Sequence, residues 1–180
     1  NNKVVVVYNK NDSSLYGYAV VGTVSGTSIS FGTPVVFHSD ETVETFVVFD
    51  SNANKMVVTY RDGADSNYGK AIVGTVSGTS ISFGSETTVS GTSISFGSEV
   101  VFNSSRVDYV FPTFDSTNNK IVVAYRSFGG SRPGYARVGT VSGTSISFGT
   151  DVEFEAGQTN HITATFDSSN GKVVLAYRDD

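Results

Sequence analysis

Cysteine is absent from this chain of 180 residues, so no disulfide holds the fold together. Leucine is nearly absent too, with only Leu15 and Leu175, and a long helix has no place to form. No apolar run approaches the roughly 18 residues that span a bilayer, so membrane insertion is not expected. Basic clusters are missing: 12 Lys plus Arg face 17 Asp plus Glu, for a formal charge of -5. A phosphate-binding surface for nucleic acid needs concentrated positive charge, and that class is disfavoured. Histidine occurs only as His38 and His161, at different points of the chain and with no partner pattern around either. Nucleophile elbow, phosphate loop and zinc motif are all missing, so no cofactor and no catalytic residue is expected. The acidic run Asp40, Glu41 and Glu44 reads as a solvated rim. Spacing gives no reason to pair two carboxylates for glycoside hydrolysis.

What is present is repetition. The segment Gly22-Thr23-Val24-Ser25-Gly26-Thr27-Ser28-Ile29-Ser30-Phe31-Gly32 returns unchanged from Gly74 and from Gly139, at offsets of 52 and then 65 residues. The extra 13 come from a local duplication, in which Val76 to Glu86 recurs as Val89 to Glu99. The pairs Phe49-Asp50, Phe114-Asp115 and Phe166-Asp167 keep the same register, as do the runs beginning at Lys3, Lys55, Lys120 and Lys172.

Each period holds four strand candidates rich in Val, Ile, Thr, Tyr and Phe. In the second copy they are Thr45 to Phe49, Lys55 to Arg61, Gly69 to Ser77 and Thr79 to Phe83. Met56, Val58 and Tyr60 share one face of the second strand, and Val57 and Thr59 share the other. The last strand is expected to bend at Gly32 or Gly149 and to run on past Pro34 or Asp151.

Four short antiparallel strands in 52 residues predict an all-β fold of β-propeller blades. A β-solenoid or stacked β fibre is the alternative, and a sandwich is a third reading. The blades divide as a partial one over 1–37, one over 43–102 with the duplication, one over 108–154 and a partial one over 160–180. A ring needs at least about four blades. The expected partners are therefore other copies of the chain, or the rest of a longer polypeptide, to cover apolar faces and cut edges. Asn1-Asn2-Lys3 leads straight into a strand, with no signal peptide, which points to a mature product or a fragment.

Candidate binding residues follow the repeat. Tyr60-Arg61-Asp62 recurs as Tyr177-Arg178-Asp179 and in part as Tyr125-Arg126-Ser127, while the first copy diverges at Tyr8-Asn9-Lys10. A ring beside a guanidinium at a strand end suits a sugar, by stacking and by bonds to hydroxyls. It equally suits packing, with Tyr between blades and Arg bridging a carboxylate in the next. The loop after the second strand varies most, and variable loops on a rigid repeat are where binding belongs. It contributes Tyr16, Tyr18, Tyr68, Phe128, Arg132 and Tyr135, of which Tyr68 and Tyr135 also suit anchors of the third strand. Asp50, Asp115 and Asp167 occupy equivalent turns, each followed by Ser and Asn. They resemble a sparse calcium ligand set and also suit plain turn caps. No metal site is expected.

The run VGTVSGTSISFGTPVVF, with YRD and FDS motifs alongside it, resembles a repeat of uncharacterised proteins from marine bacteria and their phages. The resemblance covers essentially the whole chain, apart from the duplication. It implies a place outside the cell or on a virion surface, as in a tail fibre, and it carries no catalytic residue. The expected function is a non-catalytic structural or adhesive module. A carbohydrate-binding propeller on cell-surface glycans is the alternative, and a glycan-active enzyme is a more distant one.

Overall fold

A computed structural model of the chain describes residues 2–10, 14–78, 80–83 and 98–180. Most of the second duplicated segment, and Asn11 to Ser13 of the first variable loop, lie outside those residues. Four units follow one another. The first holds β1 (Lys3–Asn9), β2 (Gly17–Ser25), β3 (Ser28–Phe31) and β4 (Val35–His38). The second holds β5 (Thr42–Asp50), β6 (Lys55–Asp62), β7 (Tyr68–Ser77), β8 (Ser80–Phe83) and the start of β9 (Val100–Asp115). The third takes the rest of β9 with β10 (Lys120–Ser127), β11 (Gly134–Ser142), β12 (Ser145–Phe148) and β13 (Val152–Glu155). The fourth is the hairpin β14 (Thr159–Asp167) and β15 (Lys172–Asp179).

Every described pairing is antiparallel, and the fourth strand comes in two pieces along one edge of the third. Thus β3 pairs with the end of β2 and β4 with its start. Strand β9 pairs first with β7 and then with β10, which fuses the second and third units into one nine-stranded sheet. The turn after each third strand has two residues with glycine first. Gly26, Gly78 and Gly143 take φ near +60° there (59, 62 and 60), which suits a hairpin matched to strand twist.

Alternation along the second strand separates the two faces of a unit. Met56, Val58, Tyr60, Ile72 and Ile81 pack back onto Ala19, Val21 and Phe37 of the first unit. Val57, Ala71, Val73 and Phe102 pack forward onto Ile121, Val123, Tyr125 and Ile146 of the third. Burial of this kind contributes about 1.5–3 kcal/mol for each large apolar side chain. One aromatic lock repeats at all three junctions. Phe37 meets Tyr60, Phe102 meets Tyr125 and Phe154 meets Tyr177, with ring centroids 5.4, 5.3 and 5.2 Å apart. Each phenylalanine lies over a glycine of its own unit. A Cβ on Gly17, Gly69 or Gly134 would stand 2.5, 2.4 or 2.5 Å from the Phe37, Phe102 or Phe154 ring.

The expected propeller is not formed. The sheets are open and follow one another in a linear series, consistent with a solenoid or stacked fibre, and neither of the larger sheets closes on itself. Packing runs from β1 to β5, from β5 to β9, and from β9 and β10 to β14. The leading face of the first sheet stays open: Val4, Val6 and Ile29 are 38%, 42% and 46% exposed, although the matching Met56, Val58 and Ile81 are buried. The physical reason is simple. Two apolar faces demand neighbours on both sides, and an open stack meets that demand as a ring does. The 52-residue period defines the unit, not the curvature between units.

Candidate functional site at the loop end

The strands of a unit have two ends. At the turn end the first strand passes into the second. At the loop end the second strand leaves through the variable loop, and the next unit's first strand begins beside it. The loop end is built by a repeated clasp. The carbonyls of Leu15, Asn67 and Arg132 accept the N–H of Thr42, Val107 and Thr159, at 3.0, 3.1 and 3.2 Å. Those three residues hold φ of 50°, 60° and 60°, a left-handed geometry that turns the carbonyl toward the following unit.

Just inside each clasp the first strand carries one extra residue opposite the second strand. Within these bulges Glu44, Tyr109 and His161 hold φ of 53°, 54° and 51°. Glycine is the usual occupant of such a bulge, and a bulky side chain there marks a position held for a reason beyond local preference. The three side chains form a row along the stack. The Glu44 carboxylate lies beside the backbone of Tyr109 and Val110, and the Tyr109 ring lies 5.3 Å from that of His161. Burial pushes the Glu44 carboxyl above its ordinary range, despite Arg61 at 3.5 Å.

Arginines stand behind and beside this row. Arg61 donates to Asn67 at 2.7 Å and lies 3.7 Å from Asp108. Arg126 is buried, donates to Asp108 at 2.7 Å, and reaches Asn160 and the Thr159 carbonyl of the fourth unit. Its guanidinium also lies 4.7 Å over the Tyr109 ring. The Nε atoms of both Arg61 and Arg126 are buried with no acceptor among the described residues. Arg106 reaches the same Asp108 at 3.4 Å. Arg106 and Arg132 both lie over the Phe128 ring, at 4.0 and 4.7 Å from its centroid.

The remaining sequence candidates divide by burial. Tyr60 and Tyr125 are wholly buried in the aromatic locks, where Tyr60 donates to Glu99 at 2.6 Å and Tyr125 donates to Asp151. Burial first, and then the neighbouring carboxylate, pushes both phenols far up. Tyr177 is exposed and donates to Glu155 at 3.2 Å, and Arg178 pairs with Asp180 at 2.7 Å. Tyr18 stacks on Tyr8 at 5.7 Å under Lys10. Tyr135 donates to Glu153 at 3.0 Å, while Tyr16 and Tyr68 are half-buried. Of the predicted residues, the row therefore gathers Arg61, Arg126, Phe128 and Arg132.

The aspartate turns are caps. Asp50 accepts the N–H of Asn52 and Ala53, Asp115 that of Thr117 and Asn118, and Asp167 that of Ser169 and Asn170, all within 3.2 Å. Asn118 and Asn170 also donate to the second carboxylate oxygen of their own aspartate. Among the described residues no group of three His, Asp or Glu could hold a metal ion.

A charged cluster caps the first junction. His38 lies 2.7 Å from Glu99 and 3.2 Å from Asp62, and Lys70 lies 2.7 Å from Asp62. Burial alone would lower the His38 pKa, but the bond to Glu99 and the charges of Glu99 and Asp62 raise it above 6.5. Burial would likewise raise Asp62 and Glu99, yet Lys70 and His38 hold both below their ordinary values. At the equivalent place in the second junction stand Asn103 and Asp151, with Arg137 paired to Asp151.

The bulge residues escaped sequence reasoning because they differ from copy to copy. Aligning the first strands at offsets of 65 and 52 sets Glu44, Tyr109 and His161 in one column, one of several that differ in all three copies. Comparison with known proteins finds no matching family model, no similar curated protein and no similar solved structure.

Proposed function

We propose that this chain is a non-catalytic carbohydrate-binding module, with the stacked sheets as a rigid frame and the loop end as the contact surface. The observation that carries this reading is a division of labour. Tyr60 and Tyr125 are used up inside the junctions, whereas Phe128, Tyr109 and His161 stand at the loop end among arginines. Aromatic and guanidinium groups on a rigid frame suit the apolar faces and hydroxyls of sugars, and repeated weak sites gain from avidity on a coated surface.

The test is a glycan array probed with the intact chain, its Phe128→Ala and Tyr109→Ala variants, and Lys172→Gln as a turn-end control. The reading expects binding that both loop-end variants reduce and the control leaves alone. A uniformly negative array with folded protein would contradict it.

A second reading, a structural or adhesive module of an extracellular fibre or virion appendage, is favoured by the recurring Gly–Phe–Tyr lock, which lets units be added in series. Filaments seen by electron microscopy, with no glycan binding, would favour that reading instead.

A further inference from the structure

We infer that the loop end recognises an acidic saccharide, one bearing carboxylate or sulfate groups, through the arginine cluster around Asp108 and Phe128; the inference rests on the carbohydrate-binding reading above. The chain is acidic overall, with a formal charge of -5, yet four of its six arginines gather at this one place. Arg61, Arg106 and Arg126 converge on the single carboxylate of Asp108, at 3.7, 3.4 and 2.7 Å. Arg132 joins them through the shared Phe128 ring, and among the described residues it makes no ion pair. Counting Glu44, two carboxylates answer four guanidiniums, which leaves a surplus of two positive charges.

The stacking decides what that surplus is fit to do. A guanidinium lying over an aromatic face keeps its N–H edge directed outward in the plane of the group, where it can donate two parallel bonds to an oxyanion. Arg106 and Arg132 therefore present two guanidiniums on one ring, no further apart than the sum of their distances to it. Phe128 is 38% exposed, so the pair opens to solvent. Were stacking on Phe128 the whole purpose, one cation would serve, and a second placed beside it is opposed by like-charge repulsion. An anionic ligand removes that repulsion and supplies the missing acceptors. Neutral sugars offer hydroxyls that any polar surface can meet, and they leave the excess charge unanswered.

The test uses the intact chain immobilised and titrated at constant ionic strength with dextran, dextran sulfate, polygalacturonate and a single-stranded oligonucleotide. We expect dextran sulfate and polygalacturonate to bind and dextran not to. Arg106→Gln and Arg132→Gln should each weaken the acidic polymers by about tenfold, while Lys172→Gln should not. Binding should also fall as salt rises. Circular dichroism melts of each variant confirm that the fold is kept; should Arg132→Gln prove unstable, Arg132→Lys, which keeps the charge and loses the fork, replaces it and is expected to bind more weakly. Equal binding of dextran and dextran sulfate would overturn the charge inference and leave the carbohydrate reading standing. No binding of any saccharide would end both. Oligonucleotide binding as tight as dextran sulfate would overturn the saccharide assignment in favour of phosphate.

Discussion

The turn end and the loop end of this stack are made by the same strands, yet they are finished in opposite ways. At the turn end one solution recurs: Asp50, Asp115 and Asp167 each cap two backbone N–H groups, and Lys3, Lys55 and Lys120 donate across the hairpin to Thr23, Thr75 and Thr140. At the loop end the frame is also repeated, through the clasp carbonyls, but the side chains set upon it differ from unit to unit, and the buried Nε atoms of Arg61 and Arg126 find no acceptor among the described residues. Saturated, repeated bonds mark a frame, and the varied side chains at the loop end are what the proposed contact surface rests on.

The largest effects should come from the frame. Phe102→Ala removes the ring shared by Tyr125, Phe148 and Gly69, and is expected to cost about 3–5 kcal/mol in chemical denaturation. Gly69→Ala should cost about 1–3 kcal/mol or more, because its new methyl must displace the same ring. Next comes the cap: Asp50→Ala, which strands two N–H donors, should lose about 2 kcal/mol by the same measurement. If loop-end changes such as Phe128→Ala cost as much as these, the division between frame and surface fails.

The pH dependence contributed by the first junction should be smaller. His38 has its pKa raised in the fold, so its contribution is complete below its ordinary value of 6.5 and is lost as pH rises through the higher folded value. Asp62 and Glu99 are lowered, so theirs is complete above their ordinary values of 3.8 and 4.5 and is lost as pH falls through the folded ones. The melting temperature should therefore decline as pH rises above about 6.5, the ordinary value of histidine. His38→Asn, which copies Asn103 of the second junction, should flatten that decline.

The smallest effects separate the two ends by backbone geometry. His161→Gly relieves a left-handed bulge and should gain about 1 kcal/mol, less the ring contact with Tyr109. Gly171→Ala, at the turn-end position held by Asn54 and Asn119 in other units, should lose a similar amount, about 1 kcal/mol. Thermal melts of the pair would show opposite signs.

Much of the fold is legible in the residue pattern, for identifiable reasons. β-branched and aromatic runs mark the strands, and alternation assigns Met56, Val58 and Tyr60 to one face and Val57 to the other, as the two core clusters confirm. The junction role of Tyr60 and Tyr125 is legible as one of two readings, because a repeated aromatic beside a repeated arginine serves packing as well as binding. Curvature is not legible, since it depends on small rotations between units that no residue announces. The arginine cluster is not legible either. Arg61, Arg106, Arg126 and Arg132 are dispersed over 72 positions, and only the clasp and bulge bring them to Asp108 and Phe128. A charge census by sequence window finds no basic patch, because this one is assembled by tertiary structure.

The most direct measurement is amide chemical-shift mapping of the isotope-labelled chain as it is titrated with oligogalacturonate. Perturbations are predicted to cluster at residues 104–109, 126–133 and 159–161, leaving the turns at 50–54, 115–119 and 167–171 unmoved. Shifts concentrated at those turns, or a spectrum indifferent to the ligand, would contradict the assignment of the loop end as the working surface.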